Sequence, residues 1–233
     1  MAVTTTEVQN DYNSDDSFKE VLRNSSSSRQ VNSVSEISRI DTSTMFVTVS
    51  ENGTQRHFER HINKYADVVG GFVEKTAHVD DSAYLDRWST VEDNALVSGD
   101  VKVICSRIRG AAEIEGCVEI YVSEIRDGAK IYGGHDSPSS KITISHSNVW
   151  ESATIRGNAL IDRAHVFGSV VIEGDSVVRS SSVSGDMLYK NLRAERKVMT
   201  DKALSYFNYM AKRLGSLHLH SITSSSRIIN HIR

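Results

Sequence analysis

Small and aliphatic residues recur at a fixed interval through the middle of this chain. A small residue stands two positions before an aliphatic one at Ala83/Leu85, Ser89/Val91, Ala95/Val97, Val101/Val103, Ser106/Ile108, Ala112/Ile114, Val118/Ile120, Ser123/Ile125 and Ala129/Ile131. After one interruption the series resumes at Ser147/Val149 and continues to Ser181/Val183. The step is mostly six residues with a five recurring, and two sixes and a five make a unit of seventeen. Columns at that spacing agree in several residue classes: Ile108, Ile125 and Ile142; Val149, Val166 and Val183; Val97, Ile114 and Ile131; Gly99, Gly116 and Gly133. A fixed period of this length is the mark of a solenoid, in which each repeat buries its apolar side only against its neighbours.

A three-sided coil accounts for the pattern. Each short strand turns one aliphatic side chain inward, where it stacks on its equivalents in the coils above and below. The neighbouring inward position faces a tight corner and admits Ala, Ser or Val. Glycine followed by Asn or Asp, as at Gly99-Asp100, Gly157-Asn158, Gly174-Asp175 and Gly185-Asp186, tolerates the positive φ of such corners. Pairing between successive coils satisfies the backbone without helices. The expected class is an all-β solenoid of about six coils over residues 77–186.

The spacing and the aliphatic-x-Gly-[Asn/Asp]-small pattern resemble the hexapeptide-repeat family of left-handed parallel β-helices, in its bacterial and phage form, over roughly half of the chain. The left-handed sense is what the resemblance implies. It also implies a homotrimer, with clefts between subunits that accept nucleotide-bearing ligands such as acyl-coenzyme A.

The flanks read differently. Residues 1–44 are rich in Ser, Thr, Asn and Asp and are expected to form a flexible polar arm, with one short helix near Phe18–Leu22. Residues 45–76 are expected to form a β-hairpin that leads into and caps the first coil: Met45 to Val49 alternates like a strand and Asn52-Gly53 signals a tight turn. Over residues 187–233 the period changes. Leu188, Leu192, Met199, Phe207, Met210 and Leu214 fit one face of a C-terminal α-helix ending near Gly215, which would cover the open end of the solenoid.

Charge sharpens that division. From Met187 onward nine Lys or Arg face Glu195 and Asp201, a net of +7, leaving −10 on the preceding residues of a chain that carries −3 overall. Lys190, Arg193, Arg196 and Lys197, with Lys202, would lie on the terminal helix. A nucleic-acid contact there is a reading to set beside a solvated helix face; no aromatic residues interleave as a base-stacking platform requires. Two cysteines, Cys105 and Cys117, fit neither a disulfide scaffold nor a metal site. The N-terminus has no signal-like apolar stretch, and no run approaches the length of a membrane span. A cytoplasmic protein without membrane contact is the expectation.

Chemistry is sought first at the break in the repeat, Tyr132 to Ser140, which holds Pro138, the only proline, and the pair His135-Asp136. Acyltransferases of the resembled family use a histidine as general base between subunits. Under that reading His135, with Asp136 orienting it and His146 nearby, would be catalytic. These acyltransferases also carry a proline-containing segment just after the last coil. Here Ser184-Gly185-Asp186-Met187-Leu188 stands in its place. His135, His146 and His165 do not match the zinc set of the γ-class carbonic anhydrases of the same fold, and no metal is expected. Trp88 and Trp150 flank inward positions and should point outward. The leading expectation is a non-catalytic oligomer without a cofactor. It would bind a small anionic or nucleotide-type ligand in inter-subunit clefts, or a protein partner, with His135, His146, Trp150 and His165 lining the site. An acyl-coenzyme A-dependent acyltransferase and a nucleic-acid binder are the alternatives.

Overall fold

In the computed structural model, residues 27–64, 66, 68–134 and 140–200 are described. Three parallel faces enclose one aliphatic column. Face B holds seven strands, from His78–Val79 to Leu188–Lys190, and face C holds seven, from Tyr84–Leu85 to Arg193–Glu195. Face A has eleven. Its solenoid part runs from Thr90–Val91 to Val198–Met199 and is extended by β1 (Ser27–Val31), β2 (Thr44–Glu51), β3 (Thr54–Asn63) and β4 (Val68–Glu74). The inward residues are almost wholly buried, among them Ile108, Ile114, Ile120, Ile125, Ile155 and Ile172. Each such side chain contributes about 1.5–3 kcal/mol through burial.

Register follows the seventeen-residue step, with Ile108 opposite Ile125 and Val97 opposite Ile114. The break after Tyr132 shifts it. Ile125 pairs with Val149 and Ile142 with Val118, so the spacing of Ile108, Ile125 and Ile142 does not make a column. Ile142 belongs to face C because the inserted residues delay the repeat. Gly134 and Ser140 close the base of that insertion by a backbone hydrogen bond of 2.8 Å.

Corners account for the composition between strands. Gly116 sits at φ +81°, and a Cβ there would stand 2.3 Å from the carbonyl oxygen of Gly133 in the next coil. In the last coil Asn191 takes the equivalent place at φ 51°, its side-chain oxygen accepting the Asp175 N–H at 2.9 Å. The corner from face C to face A is built without glycine: Cys105, Val122, His146, Arg163 and Ser180 all lie near φ +48°. The residue after each is the small inward one. Ser106, Ser123 and Ser147 form a buried ladder in which each hydroxyl donates to a carbonyl of its own coil and accepts an N–H from the next, at 2.6–3.0 Å. Ala164 interrupts the ladder, and Ser181 resumes it beneath Lys197.

The N-terminal end is closed by β-structure of a different kind. β2 and β3 are antiparallel across Asn52-Gly53, β3 and β4 are antiparallel, and β4 runs parallel to Thr90–Val91. This three-stranded meander replaces a lone hairpin. Residues 27–44, expected within a flexible arm, instead supply β1 and a 3-10 segment, Val34–Arg39, because Val31, Val34, Ile37 and Ile40 bury against Val47, Val49, Phe58 and Phe72. Beneath that segment the Arg60 guanidinium donates to the carbonyls of Ile40, Asp41, Gly70 and Arg87 and lies 3.8 Å from the Phe72 ring centroid. Burial, with the charge of Arg87, pushes its pKa down to about 10, so it remains a cation near neutrality. Asn63 ends face C by imitating a strand: its amide donates to the Leu85 carbonyl and accepts the Leu85 N–H, both at 2.8 Å.

The C-terminal helix is corrected over its described part. Residues 188–199 form three more strands, one on each face, in place of the expected helix. Tyr189, Leu192 and Ala194 continue the inward positions and are buried. The pairing of Val177 with Arg193 and of Val183 with Met199 shows a step of sixteen rather than seventeen, which disguised this coil as a helical face. The rest of the expected helix, and the expected helix near Phe18–Leu22, lie outside the described residues.

Candidate functional site

Strand alternation decides which residues face outward on face A. In each coil the central residue points in and its two neighbours point out. One outward column is Thr90, Arg107, Glu124, Asn148 and His165; the other is Glu92, Arg109, Arg126, Trp150 and Phe167. Trp150 and Phe167 lie seventeen residues apart and stack, with ring centroids 4.7 Å apart and planes within 2°. Arg126 stands over the Trp150 ring at 5.3 Å, and His165 meets it edge-on at 5.7 Å. Asn148 approaches His165 at 3.5 Å through its side-chain amide. Cation, indole and phenyl ring thus occupy successive rungs of one exposed sheet.

Towards the N-terminal end this surface becomes a cleft of about 370 Å³ between the 3-10 segment and face A. Trp88 and Val122, respectively 45% and 51% exposed, form its apolar wall with Val34, and Arg107, Glu124 and Asn148 form its polar one. The charges of that wall are already paired. Arg107 grips the buried Glu92 carboxylate through Nε and a terminal nitrogen at 2.5 and 2.7 Å, and Thr90 donates to it at 2.9 Å. Arg56 joins the same cluster, 3.3 Å from Glu92, and also binds Glu74 and Asp93. Arg109 holds Glu124 at 2.8 Å.

The structure brings two of the sequence-derived site residues, Trp150 and His165, into contact. His146 occupies the exposed corner that leads into their sheet. His135 and Asp136 lie outside the described residues. The basic set is not one stripe: Lys190 is on face B, 3.5 Å from Glu173; Arg193 is on face C; Arg196 and Lys197 follow at the next corner. Burial pushes the thiol pKa of Cys105 and of Cys117 up, reinforced for Cys105 by Asp86, which is the wrong direction for a nucleophile. Among the described residues no group of three or more His, Cys, Asp or Glu side chains is arranged to hold a metal ion, and no helix is long and apolar enough to cross a membrane.

Phe167, Arg126 and the cleft residues Val122, Arg107 and Glu124 were not singled out from sequence. The seventeen-residue step from Trp150 to Phe167 is the signal that could have found the stack. The cleft had none, because it depends on where the 3-10 segment packs. Comparison with family models, with curated proteins and with solved structures finds no match to this chain.

Proposed function

We propose that this chain is a non-catalytic, left-handed hexapeptide-repeat β-helix that works by binding, as a homotrimer in the cytoplasm, with the outer side of face A as its contact surface. The observation that carries the reading is the Arg126–Trp150–Phe167 stack continuing into the Trp88 cleft. Aromatic cross-strand pairs contribute about 0.5–1.5 kcal/mol to a sheet by themselves, so the stack also has a purely structural use. The adjoining cleft has none, since no packing requires an exposed indole beside an open volume. Aromatic side chains with Arg are the residues in which binding energy concentrates. The left-handed sense, the trimer and the cytoplasmic setting rest on the family resemblance and the sequence reading.

Native mass spectrometry of the full chain, purified gently from a cell extract, tests this. An oligomer carrying a reproducible extra mass, released chemically unchanged, is the expected result. Recovery of a chemically converted ligand would overturn the non-catalytic part. A bare monomer with no adduct and no co-purifying partner would overturn the reading as a whole.

A further inference from the structure

From the charge balance of the Trp88 cleft we infer that its ligand is an uncharged saccharide unit. The inference rests on the reading that this chain acts by binding through face A, and it replaces the anionic ligand expected from sequence with a neutral one.

The argument starts from what each wall can offer. An anion such as a phosphate needs a cation to spare, and Arg107 has none: two of its nitrogens hold Glu92, whose carboxylate is fully buried. Withdrawing Arg107 would strip a buried carboxylate of its closest partner, a cost of several kcal/mol. Arg109 is likewise engaged by Glu124, and Glu124 itself faces the cleft and repels a second negative charge. A cation fares no better. Arg87, which does not line the cleft, already places a positive charge 4.0 Å from the Trp88 ring centroid; that charge repels a second cation at the same indole but not an uncharged ring.

A wholly apolar ligand would strip water from the polar wall without replacing it. The Glu124 carboxylate beyond its contact with Arg109, and the Asn148 amide beyond its contact with His165, would lose hydrogen bonds to solvent at about 1–3 kcal/mol for each group left short. What remains is a neutral molecule with one apolar face and several hydroxyls. A pyranose ring has that chemistry. Its C–H face would lie against Trp88 and Val122, and its hydroxyls would donate to the Glu124 carboxylate and accept from the Asn148 amide. The cleft, at about 370 Å³, is at the small end of the range for small-molecule sites, which fits a ring-sized ligand. Beyond Asn148 the surface continues to His165 and the Trp150–Phe167 stack, so a further sugar of the same chain has an aromatic neighbour.

Isothermal titration of the full chain with neutral hexasaccharides of glucose, mannose, galactose and N-acetylglucosamine tests the assignment, with AMP and inorganic phosphate run in parallel. At least one neutral saccharide is expected to bind with a Kd below about 10 mM, unchanged between about 50 and 500 mM salt because no ion pair forms. Trp88→Ala and Asn148→Ala should each weaken that binding about fivefold or more. Both side chains are at the surface of the cleft, and either result alone is informative. Saccharide affinity untouched by both substitutions, or binding of AMP or phosphate alone with a steep salt dependence, would overturn the assignment. So would the absence of binding by every saccharide tested. An adduct in native mass spectrometry that survives Trp88→Ala would then leave the wider reading of face A standing. A bare wild-type monomer, with neither adduct nor co-purifying partner, would remove both.

Discussion

At the scale of single residues, stability rests on polar groups that are buried with partners. The serine ladder is a consequence of the positive-φ corner before it. Val122, at φ 47°, is in a conformation unfavourable for a β-branched residue, and it swings the following N–H towards the hydroxyl of the coil below rather than a carbonyl. Ser123→Ala would leave the Ser147 N–H without its acceptor, now 3.0 Å away. The expected loss is about 1–3 kcal/mol in urea unfolding at pH 7. Ala164→Ser, which would complete the ladder, should not destabilise the protein. The Glu92 cluster gives a second prediction. Arg107→Ala should cost about 3–5 kcal/mol, because it leaves the buried carboxylate to the Thr90 hydroxyl at 2.9 Å and, as its one remaining cation, Arg56 at 3.3 Å. Adding Glu92→Gln should restore part of that loss, and a double-mutant cycle in which the two losses simply add would contradict the coupling. Ser106, Ser123 and Ser147 were legible in the sequence as small inward residues. Their hydrogen-bonding duty was not, since Ala fits the same place.

Among the elements, what decides the outcome is how each end of the solenoid is finished. Asn63 replaces a strand at the start of face C, so Asn63→Ala should expose the Leu85 amide. Hydrogen exchange at Leu85 is expected to rise well above that of Val103, which lies one coil further in; equal protection would show that the cap is dispensable. Gly116→Ala tests the stacking of corners. With Cβ 2.3 Å from a backbone oxygen and φ at +81°, it should cost about 2–4 kcal/mol in the same unfolding assay. The coil itself was readable because inward residues, small residues and glycines share one period. The last coil was not, because a sixteen-residue step brought Leu188, Leu192 and Met199 close to a helical spacing. The N-terminal segment was hidden for another reason: Val31, Val34, Ile37 and Ile40 are few among many Ser and Asn, and nothing local announces the surface of Phe58 and Phe72 that buries them.

Over the whole molecule, one face is set apart from the other two. Faces B and C carry outward ion pairs typical of solvated sheets, such as Lys130 with Glu113 at 2.8 Å and Lys141 with Glu119 at 2.7 Å. Lys130 holds the Glu113 carboxyl below its usual value of 4.5 mainly by hydrogen bonding. A carboxylate depressed in the folded state adds stability above its unfolded pKa and loses it as the pH falls through the folded one, so melting should decline on acidification below about 4.5. Face A also pairs its outward charges, Arg107 with Glu92 and Arg109 with Glu124, but adds the Trp150–Phe167 stack to them. Trp150 could be read from sequence as outward because it stands beside an inward residue; His165 could be named only as lining the same expected site as His135. Phe167 and the cleft needed the three-dimensional stacking of coils and the 3-10 segment. The claim that face A is the binding surface is tested most directly by native mass spectrometry on three proteins in parallel: the wild type, Trp150→Ala/Phe167→Ala, and a face B control, Thr154→Ala. Adduct on wild type and control but not on the double variant is the predicted result; adduct retained in full on the double variant would contradict it.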